Sequence, residues 1–334
     1  MFFKIKPIVS VCIPVFNTEN TLERCLNSVK LQNSPPLEVV IVDDGSTGSD
    51  KNGRNAACIA SEFSKKSRIP VKVIKNSENT GLLEARRKLV LESKGKYILM
   101  LDSDDVLEED CLKVLFETAE AENADIVHGQ GNVYYSGVFD EVFHKKQKAA
   151  EHVYEGILEG KAIEEGFLCK KNHSYFMWGK LFLRETYLNC LENIPPAFCV
   201  MEEDFLQYFF MVQNAKKYAG INKKVYGYYL DEGISSRKKI QTLETWEKVC
   251  SASSAFTIIL DYMENQQPQK FSAEVKNSIK LFCRNVLKDT LRQKEKCLAP
   301  ELKEKGEELL ELYWGKDFVM AVNEEVQGEA QGDL

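Results

Sequence analysis

The sequence predicts an α/β fold with a parallel sheet flanked by helices, and two observations lead to this prediction. Segments rich in β-branched residues alternate with amphipathic segments over the first third of the chain, and short turns join them. One apolar segment, residues 97–101, is unbroken, which is typical of a strand buried on both faces of a sheet. Because ligands bind outside the carboxyl ends of such strands, we expect the functional site at that edge.

The predicted elements follow one another in a regular β-α order. Strands are expected over residues 8–15, 38–42, 70–74 and 97–101. Helices with one apolar face are expected from Asn17 or Thr18, over 52–66 and over 82–93. Because proline has no backbone N–H, the first strand is expected to end at Pro14.

Closely spaced carboxylates follow two of these strands, Asp43 with Asp44 and Asp102 with Asp104. Asp102 and Asp104 are two residues apart, so on an extended backbone they point the same way. Clustered carboxylates repel one another unless a cation lies between them, and hard oxygen ligands suit Mg²⁺ or Mn²⁺. Since residues 14–16 end a third strand, the two acidic edges predict a cleft that binds a nucleotide diphosphate through a cation.

Each acidic group taken alone also has an ordinary structural explanation. Asp104 or Asp105 would be a suitable N-cap for a helix beginning at Val106, and Asp-Asp-Gly is a common turn. The chain has neither a GxGxxG nor a GxxxxGK[ST] motif, so neither a dinucleotide fold nor a P-loop is predicted.

The composition argues against several classes of protein. A net charge of −7 does not fit a general nucleic-acid binder. The ten cysteines form no CxxC pair, so neither a zinc site nor a redox motif is predicted, and scattered free thiols fit a reducing cytosol. No apolar run approaches the ~20 residues that cross a bilayer. We therefore expect a cytoplasmic protein, and peripheral contact with the inner face of the membrane stays open.

Five motifs occur in a fixed order along the first third of the chain. They are VSVCIPVFN at 9–17, LxxCLxSV at 22–29, VVIVDDGST at 39–47, NxGLxxAR at 79–86 and GKYILMLDSDD at 95–105. Together they resemble the family 2 glycosyltransferases of the GT-A fold. The resemblance implies a GT-A nucleotide-binding sheet and inverting transfer of a sugar from a nucleotide diphosphate. UDP is the first expectation for the nucleotide, with GDP and TDP as alternatives.

The resemblance also implies roles for individual residues. Asp43 would contact the nucleotide base with Asp44 beside it, and Arg86 would lie near the base. Asp102 would lie near the ribose and the cation, and Asp104 would ligate Mn²⁺ or Mg²⁺. The alternative for Arg86 is a plain surface arginine. Further nucleotide-binding residues implied by the resemblance are Pro14, Val15, Phe16 and Ser103.

The second half of the chain resembles the acceptor side of the same family in two places. Residues 176–182 carry aromatic side chains that could stack on a sugar, with core packing around Trp178 as the alternative. Glu203 and Asp204 resemble the family's Glu-Asp pair, in which the aspartate removes the acceptor proton and the glutamate supports it. The alternative is an ordinary helix start, where acidic residues favour the dipole.

Residues 225–229 are the last predicted strand, and the loop that follows them departs from the family pattern. Relatives often have a histidine there that adds to the cation site, whereas this chain has Asp231 or Glu232 at that place. Ser235 and Arg237 could still bind the phosphates with hydrogen-bond donors and positive charge. An exposed basic linker is the alternative interpretation.

The predicted domain organisation follows these motifs. Residues 1–240 form the glycosyltransferase domain, in which 1–127 bind the nucleotide sugar and 128–240 bind the acceptor. Residues 241–325 form a helical C-terminal region, and 326–334 form a disordered tail. The helical region would dock on the core, form a homodimer or rest on a membrane, and the sequence does not decide among these.

The function predicted from the sequence is that of a metal-dependent inverting glycosyltransferase in surface polysaccharide biosynthesis. It would use a UDP-sugar and a hydroxyl of a glycan or lipid-linked saccharide. A nucleotidyltransferase of related architecture would need a glycine-rich basic loop near residues 14–18, which this chain lacks. A non-catalytic module that binds nucleotides or carbohydrates would have no need of a base such as Asp204.

Overall fold

The computed structural model describes residues 6–32, 35–137, 140–230 and 239–332. The chain divides into two compact units. The first unit contains Met1–Pro196 and Gln207–Gly233, and the second contains Ala197–Leu206 and Ile234–Leu334. The sequence placed the domain boundary at residue 240, and the structure differs mainly by assigning Ala197–Leu206 to the second unit.

One mixed sheet forms the centre of the first unit. Its strands, among the described residues, are β1 (Val9–Val15), β2 (Leu37–Asp43), β3 (Val71–Lys75), β4 (Tyr97–Met100), β5 (Val106–Leu107), β6 (Ile126–Tyr134), β7 (Gly156–Glu159), β8 (Lys180–Leu183) and β9 (Lys217–Tyr229). The strand order is β3-β2-β1-β4-β8-β6-β9-β5, and β7 pairs with β9. The strands β1 to β4 are parallel to one another, whereas β8 is antiparallel to both of its neighbours. The predicted parallel sheet is therefore confirmed for the first third of the chain.

Helices follow the first strands in the predicted β-α order. Those that join the first four strands are α1 (Glu19–Lys30), α2 (Ala56–Ser67) and α3 (Leu82–Glu92). The later helices with residues in the first unit are α4 (Cys111–Glu122), α5 (Glu141–Ala150), α6 (Lys161–Leu168), α7 (Arg184–Glu192) and α8 (Glu203–Asn214). Apolar side chains of β1, β2 and β4 are buried against the helices, as unbroken apolar strands require.

Strand β1 continues one residue beyond Pro14, where the sequence predicted its end. Cys12 accepts a hydrogen bond from the Leu101 N–H at 3.0 Å, and pairing between β1 and β4 stops there. The backbone groups of residues 12 and 14 point toward the same neighbouring strand, β4. Because β4 ends at Met100, an N–H at residue 14 would lie beyond the end of that strand. On the other side, Val15 accepts a hydrogen bond from the Asp44 N–H at 2.8 Å. The pairing of β1 with β4 therefore ends before Pro14, whereas the pairing of β1 with β2 continues past it to Val15.

The second unit is helical, as predicted for the C-terminal region. Its further helices are α9 (Leu243–Cys250), α10 (Ala252–Asp261), α11 (Ala273–Cys297), α12 (Lys303–Trp314) and α13 (Lys316–Gly332). The buried Trp246 of α9 donates its indole N–H to the Gly306 carbonyl of α12 at 2.8 Å. No helix in the described ranges is long and apolar enough to cross a membrane.

The sequence predicts a disordered tail over residues 326–334, and this is wrong for residues 326–332, because helix α13 continues to Gly332. Residues 333 and 334 lie outside the described residues. Two glutamates of α13 form ion pairs with basic side chains of α11. Glu329 lies 2.6 Å from Lys288 and 3.0 Å from Arg292, and Glu325 lies 3.0 Å from Lys288. Exposed ion pairs are individually weak, but several on one helix face hold its last turns against a neighbour. This pairing between distant segments has no signature in the local composition of the tail.

Candidate functional site

The acidic segment after β4 forms a turn, which the sequence had interpreted as an extended strand end. The Asp105 N–H donates to the Asp102 carbonyl at 3.0 Å. Asp102 and Asp104 are half-buried, whereas Ser103 and Asp105 are buried. Asp102 and Asp104, the pair that the sequence singled out, keep part of their surface exposed, but they do so on a turn and not on the extended backbone that the spacing argument assumed. Because β5 begins at Val106 and the next helix begins only at Cys111, the helix-cap interpretation of these aspartates is wrong.

Arg86 lies beneath Asp102. Its Nη2 is 3.2 Å from the Asp102 Oδ1, and the side chain of Arg86 is only 2% exposed against 27% for Asp102. The interpretation of Arg86 as a surface arginine is therefore wrong. The neighbouring Arg87 has a different task, because it donates to the carbonyls of Leu191 at 3.0 Å and Ile194 at 2.8 Å. Arg86 fixes the orientation of the Asp102 carboxylate, while Arg87 ties α3 to the end of α7.

Ser103 connects the acidic turn to the start of α1. Its hydroxyl is 2.7 Å from the Thr18 hydroxyl, and its carbonyl accepts from the Thr21 hydroxyl at 2.9 Å. The side chain is buried, so the contact that the structure shows for this predicted nucleotide-binding residue is with protein. The Asp104 carbonyl accepts a hydrogen bond from Arg24 of the same helix.

Asp105 is a buried carboxylate for which the sequence predicts no role beyond a possible helix N-cap. The Tyr226 hydroxyl donates to its Oδ2 at 2.8 Å, and the Tyr229 N–H donates to its Oδ1 at 2.8 Å. Burial, followed by the nearby Asp104 and Asp102 carboxylates, raises the pKa of Asp105 well above its usual range. Its sequence signal was weak, because a third acidic residue beside Asp102 and Asp104 is indistinguishable from them until burial is known.

The two aspartates at the end of β2, Asp43 and Asp44, have different surroundings. Asp43 is 3% exposed and accepts from the Ser46 N–H at 2.9 Å. The Asp44 carboxylate accepts from the Thr80 hydroxyl at 2.7 Å, the Thr80 N–H at 3.0 Å and the Gly81 N–H at 3.0 Å. It also accepts from the Asn76 amide at 2.7 Å. Asp44 thus anchors the loop before α3, and its predicted contact with a nucleotide remains a prediction.

The loop after β1 is tied to the loop after β2. Pro14 and Val15 are buried and Phe16 is half-buried. Asn17 adopts a left-handed conformation with φ of 55°, and its side-chain oxygen accepts from the Thr47 N–H at 3.1 Å. These contacts close one side of the edge that the nucleotide is predicted to occupy. At the first residue of α1, the Oε1 of the buried Glu19 is one of the buried side-chain atoms of the described residues that have no hydrogen-bond partner.

Most of the residues predicted to bind the nucleotide sugar therefore lie at one edge of the sheet, at the carboxyl ends of β1, β2 and β4. In the described part of the chain, no three His, Cys, Asp or Glu side chains form a group that could hold a metal ion. A magnesium or manganese ion bound with a diphosphate needs only one or two carboxylates, because phosphate oxygens and water complete its shell. The half-buried Asp102 and Asp104 fit such an ion.

The aromatic segment that was predicted for the acceptor side packs into the core. Trp178 is 8% exposed and stacks on Phe176 at 4.8 Å and on Tyr226 at 4.7 Å between ring centroids. This geometry supports the core-packing interpretation of Trp178. Phe176 and Tyr228 are only partly buried at the ends of this stack.

Glu203 and Asp204 begin α8 and belong to the second unit, whereas the acidic turn belongs to the first. Glu203 is buried and Asp204 is half-buried. Phe205, the next residue, packs on Phe256 and Phe282 at 5.8 and 4.3 Å between ring centroids. The helix-start interpretation is thus satisfied, and the predicted catalytic role of the pair is compatible with it.

Two predicted phosphate-binding residues, Ser235 and Arg237, lie outside the described residues, as do Asp231 and Glu232. The strand that leads to them, β9, is described as far as Tyr229. Their roles therefore stay predictions.

The parallel sheet with acidic strand ends defines a GT-A-type α/β protein, and comparison with known proteins agrees with this class. Residues 10–192 match the family model described as Glycosyl transferase family 2. Because the match covers more than half of the chain, the protein belongs to glycosyl transferase family 2.

Individual relatives are also glycosyltransferases by name. The chain is 29% identical over 234 residues to glycosyltransferase GlyA of Streptococcus pneumoniae serotype 4, a match that covers 69% of this chain and 31% of that protein. It is 34% identical over 112 residues to the putative teichuronic acid biosynthesis glycosyltransferase TuaG of Bacillus subtilis, which covers 34% of this chain and 42% of TuaG. The chain thus spans well under two thirds of both relatives.

Two solved structures share the fold at low sequence identity. S. aureus TarS 1–349 in complex with UDP-GlcNAc has a TM-score of 0.54 and 18% identity, over 96% of this chain and 92% of that one. The mannosyltransferase PcManGT of Pyrobaculum calidifontis, in complex with GDP-Man and Mn²⁺, has a TM-score of 0.55 and 13% identity, over 97% and 88%. These likenesses confirm the predicted GT-A fold.

Proposed function

We propose that this family 2 glycosyltransferase is metal-dependent and inverting, and that it moves a sugar from UDP to a hydroxyl of a glycan or lipid-linked saccharide. The observation that carries the proposal is the pair of half-buried carboxylates, Asp102 and Asp104, after β4. Asp43 is the last residue of β2, which is separated from β4 by β1 in the sheet, and Arg86 lies beneath Asp102. A nucleoside diphosphate needs both kinds of group, acids for its cation and polar side chains for its base and ribose.

The cation supplies one part of the chemistry in this proposal. When bound, Mn²⁺ or Mg²⁺ neutralises the charge that develops on the departing diphosphate. Asp102 and Asp104 would hold the ion, and Arg86 would keep the Asp102 carboxylate aimed at it. Ser235 and Arg237 are proposed to bind the phosphates with their own donors and positive charge.

The nucleotide is proposed to be UDP, with its base near Asp43 and Arg86 and the loop Pro14–Phe16 beside it. TarS is described with UDP-GlcNAc, which supports this choice, whereas PcManGT is described with GDP-Man and Mn²⁺. The two structures therefore support a nucleotide sugar and differ on the nucleotide. UDP rests on the motif resemblance.

Asp204 is proposed to be the base, supported by Glu203. In a single displacement the acceptor oxygen attacks the anomeric carbon from the face opposite the diphosphate. The bond from that carbon to the diphosphate oxygen breaks, and the acceptor proton passes to the Asp204 carboxylate. The sugar is thereby transferred with inversion at the anomeric carbon.

The biological setting is proposed from the same resemblance. The name of TuaG supports a role in surface polysaccharide biosynthesis. We propose that residues 1–127 bind the donor and 128–240 the acceptor in the cytoplasm. Contact with the inner face of the membrane and a homodimer through the C-terminal helices also belong to this proposal.

A panel of nucleotide sugars tests the function directly. Thermal stability and donor hydrolysis are measured with UDP-, GDP- and TDP-sugars, with Mn²⁺ and with the cation chelated. We expect one nucleotide sugar to raise the thermal stability when the cation is present, because a ligand that binds the folded state stabilises it. Hydrolysis of that donor is expected to require the cation as well.

Other outcomes of the panel would contradict the proposal. Release of pyrophosphate from a nucleoside triphosphate and a sugar phosphate would identify a nucleotidyltransferase. Cation-dependent binding without hydrolysis or transfer of any donor to any saccharide would identify a non-catalytic module.

A further inference from the structure

The acidic turn, residues 102–105, is held by strand β9. The Tyr226 hydroxyl donates to Asp105 at 2.8 Å and accepts from the Asp102 N–H at 3.2 Å. The same hydroxyl thus contacts the first and the last residue of the turn. The Tyr229 N–H donates to the other oxygen of Asp105 at 2.8 Å.

A second contact holds the turn from the side of α1. Arg24 donates to the Asp104 carbonyl, and its guanidinium lies 3.5 Å above the ring of Tyr229. Tyr229 in turn stacks on Tyr134 with 5.0 Å between ring centroids. Arg24 and Asp105 therefore both contact Tyr229 of β9. Arg24 contacts its ring, and the Asp105 carboxylate accepts from its backbone N–H.

Asp105 and Tyr226, which join the turn to β9, are more deeply buried than the two candidate cation ligands. Asp105 is 1% exposed and Tyr226 is fully buried, whereas Asp102 and Asp104 keep part of their surface open. The buried carboxylate accepts two hydrogen bonds, and the Tyr226 hydroxyl accepts a third from the Asp102 N–H, so together they fix the backbone that carries the Asp102 and Asp104 carboxylates. Residues behind metal ligands orient those ligands in the same way in many metal sites.

We infer that Asp105 is a positioning residue for the cation and diphosphate, acting with Tyr226 to set the separation of the Asp102 and Asp104 carboxylates. This inference rests on the proposed function, because it concerns how the same site holds its cation. Asp105 itself touches neither substrate nor cation.

The test replaces Asp105 by asparagine and compares it with a matched buried aspartate at the other end of β9. Asp125 accepts from the Lys216 N–H at 2.7 Å, the Lys217 N–H at 2.9 Å and the Thr186 hydroxyl at 3.0 Å. It thus anchors the start of β9 as Asp105 anchors its end. Both Asp105→Asn and Asp125→Asn are expected to lower the melting temperature.

The measured quantity is the Mn²⁺ concentration that gives half-maximal UDP binding, by calorimetry, for each variant and for the unaltered chain. Asp105→Asn is expected to raise that concentration about tenfold, since replacing a residue that orients a metal ligand typically costs about 10–100-fold in metal affinity. Asp125→Asn is expected to leave it unchanged. An equal cation requirement in the two variants would overturn the inference.

A milder pair of variants keeps the test decisive if Asp105→Asn does not fold. Tyr226→Phe removes the hydroxyl between Asp102 and Asp105 and keeps the aromatic stack on Trp178. Its control is Tyr187→Phe, which removes another buried hydroxyl, 2.6 Å from the Gln207 side chain. Only Tyr226→Phe is expected to raise the Mn²⁺ requirement.

The inference and the proposed function fail differently. If the unaltered chain shows no Mn²⁺-dependent binding of UDP or another nucleotide diphosphate, the proposed function is wrong. If the unaltered chain binds and Asp105→Asn or Tyr226→Phe behaves like its control, only the positioning role is wrong.

Discussion

Aspartates that look equivalent in the sequence differ in what each carboxylate contacts. Asp44 accepts hydrogen bonds from protein donors on both of its oxygens, including Thr80. Asp105 is likewise enclosed, whereas Asp102 and Asp104 keep part of their surface open. Because a carboxylate already satisfied by protein gains little from a ligand, exposure rather than residue type separates the candidate cation ligands from the structural acids.

Asp104→Asn and Asp204→Asn are expected to fail at different steps. Asp104→Asn removes a proposed cation ligand, so Mn²⁺-dependent binding of UDP should weaken about tenfold or more and turnover should fall with it.

Asp204→Asn removes the proposed base, so donor binding should be unchanged while transfer falls about 10²–10⁴-fold. Calorimetry and a transfer assay distinguish the two.

The control for this pair is Asp110→Asn. Asp110 is exposed and adopts a left-handed conformation with φ of 58°, which asparagine tolerates. It should bind and turn over as the unaltered chain does. Normal transfer by Asp204→Asn would refute the base assignment, and normal Mn²⁺-dependent binding by Asp104→Asn would refute the cation assignment.

At the scale of elements, β9 is longer than the sequence indicated. The pattern predicted a strand over residues 225–229, whereas β9 occupies Lys217–Tyr229. Its first part lies between β6 and β7, and Tyr218 and Ala219 pair with both of them. Partners on two sides stabilise a strand whose lysines give no local strand signal.

Gly220→Ala is expected to disrupt this part of the sheet. A Cβ at Gly220 would lie 1.7 Å from the Tyr154 carbonyl oxygen, a backbone atom that cannot move without breaking the pairing of β7 with β9. We expect a loss of about 3 kcal/mol or more in the free energy of unfolding, typical of severe overpacking. Denaturant unfolding measures the loss.

The control is Gly328→Ala in helix α13, where a Cβ would meet nothing within 4 Å. Alanine is the better helix former, so stability should stay equal or rise by up to about 1 kcal/mol. Equal stability of Gly220→Ala and the unaltered chain would show that β7 does not pack against β9 at this residue.

At the scale of the whole molecule, the first unit buries a polar cluster away from the acidic turn. The Nδ1 of His128 lies 2.9 Å from the Tyr218 hydroxyl, and His173 lies 4.7 Å from the Tyr218 ring between centroids. Lys180 is fully buried among the same residues and packs over the Tyr208 ring. Burial and the positive charge of Lys180 lower the pKa of His128 well below its usual range and that of His173 to about 3.

This cluster predicts that the first unit loses stability in mild acid. Both histidines are neutral when folded and gain protons when unfolded, so stability is complete above the unfolded pKa near 6.5. It falls as the pH drops from there toward the folded pKa values. For His173 alone the loss at pH 5 is about 2 kcal/mol. Denaturant unfolding at pH 7.5 and pH 5 measures the change.

Variants assign the acid sensitivity to the cluster. His173→Gln cannot gain the proton, so its stability should depend less on pH, even if it is lower at pH 7.5. His144→Gln alters an exposed histidine and should keep the full pH dependence. A pH dependence of His173→Gln equal to that of the unaltered chain would contradict the prediction.

The sequence by itself determined the parallel sheet of the first third of the chain and its order of elements. Apolar periodicity and residue spacing are local properties, so they are readable without a structure. The motif order likewise identified family 2, which the family match over residues 10–192 confirmed.

Only the tertiary structure decided which acids are enclosed, where Arg86 lies and how far α13 and β9 extend. Asp44 and Asp105 are enclosed by donors from segments distant in the chain, such as Thr80 and Tyr226. Burial and partners of this kind arise from long-range packing, which no local pattern encodes.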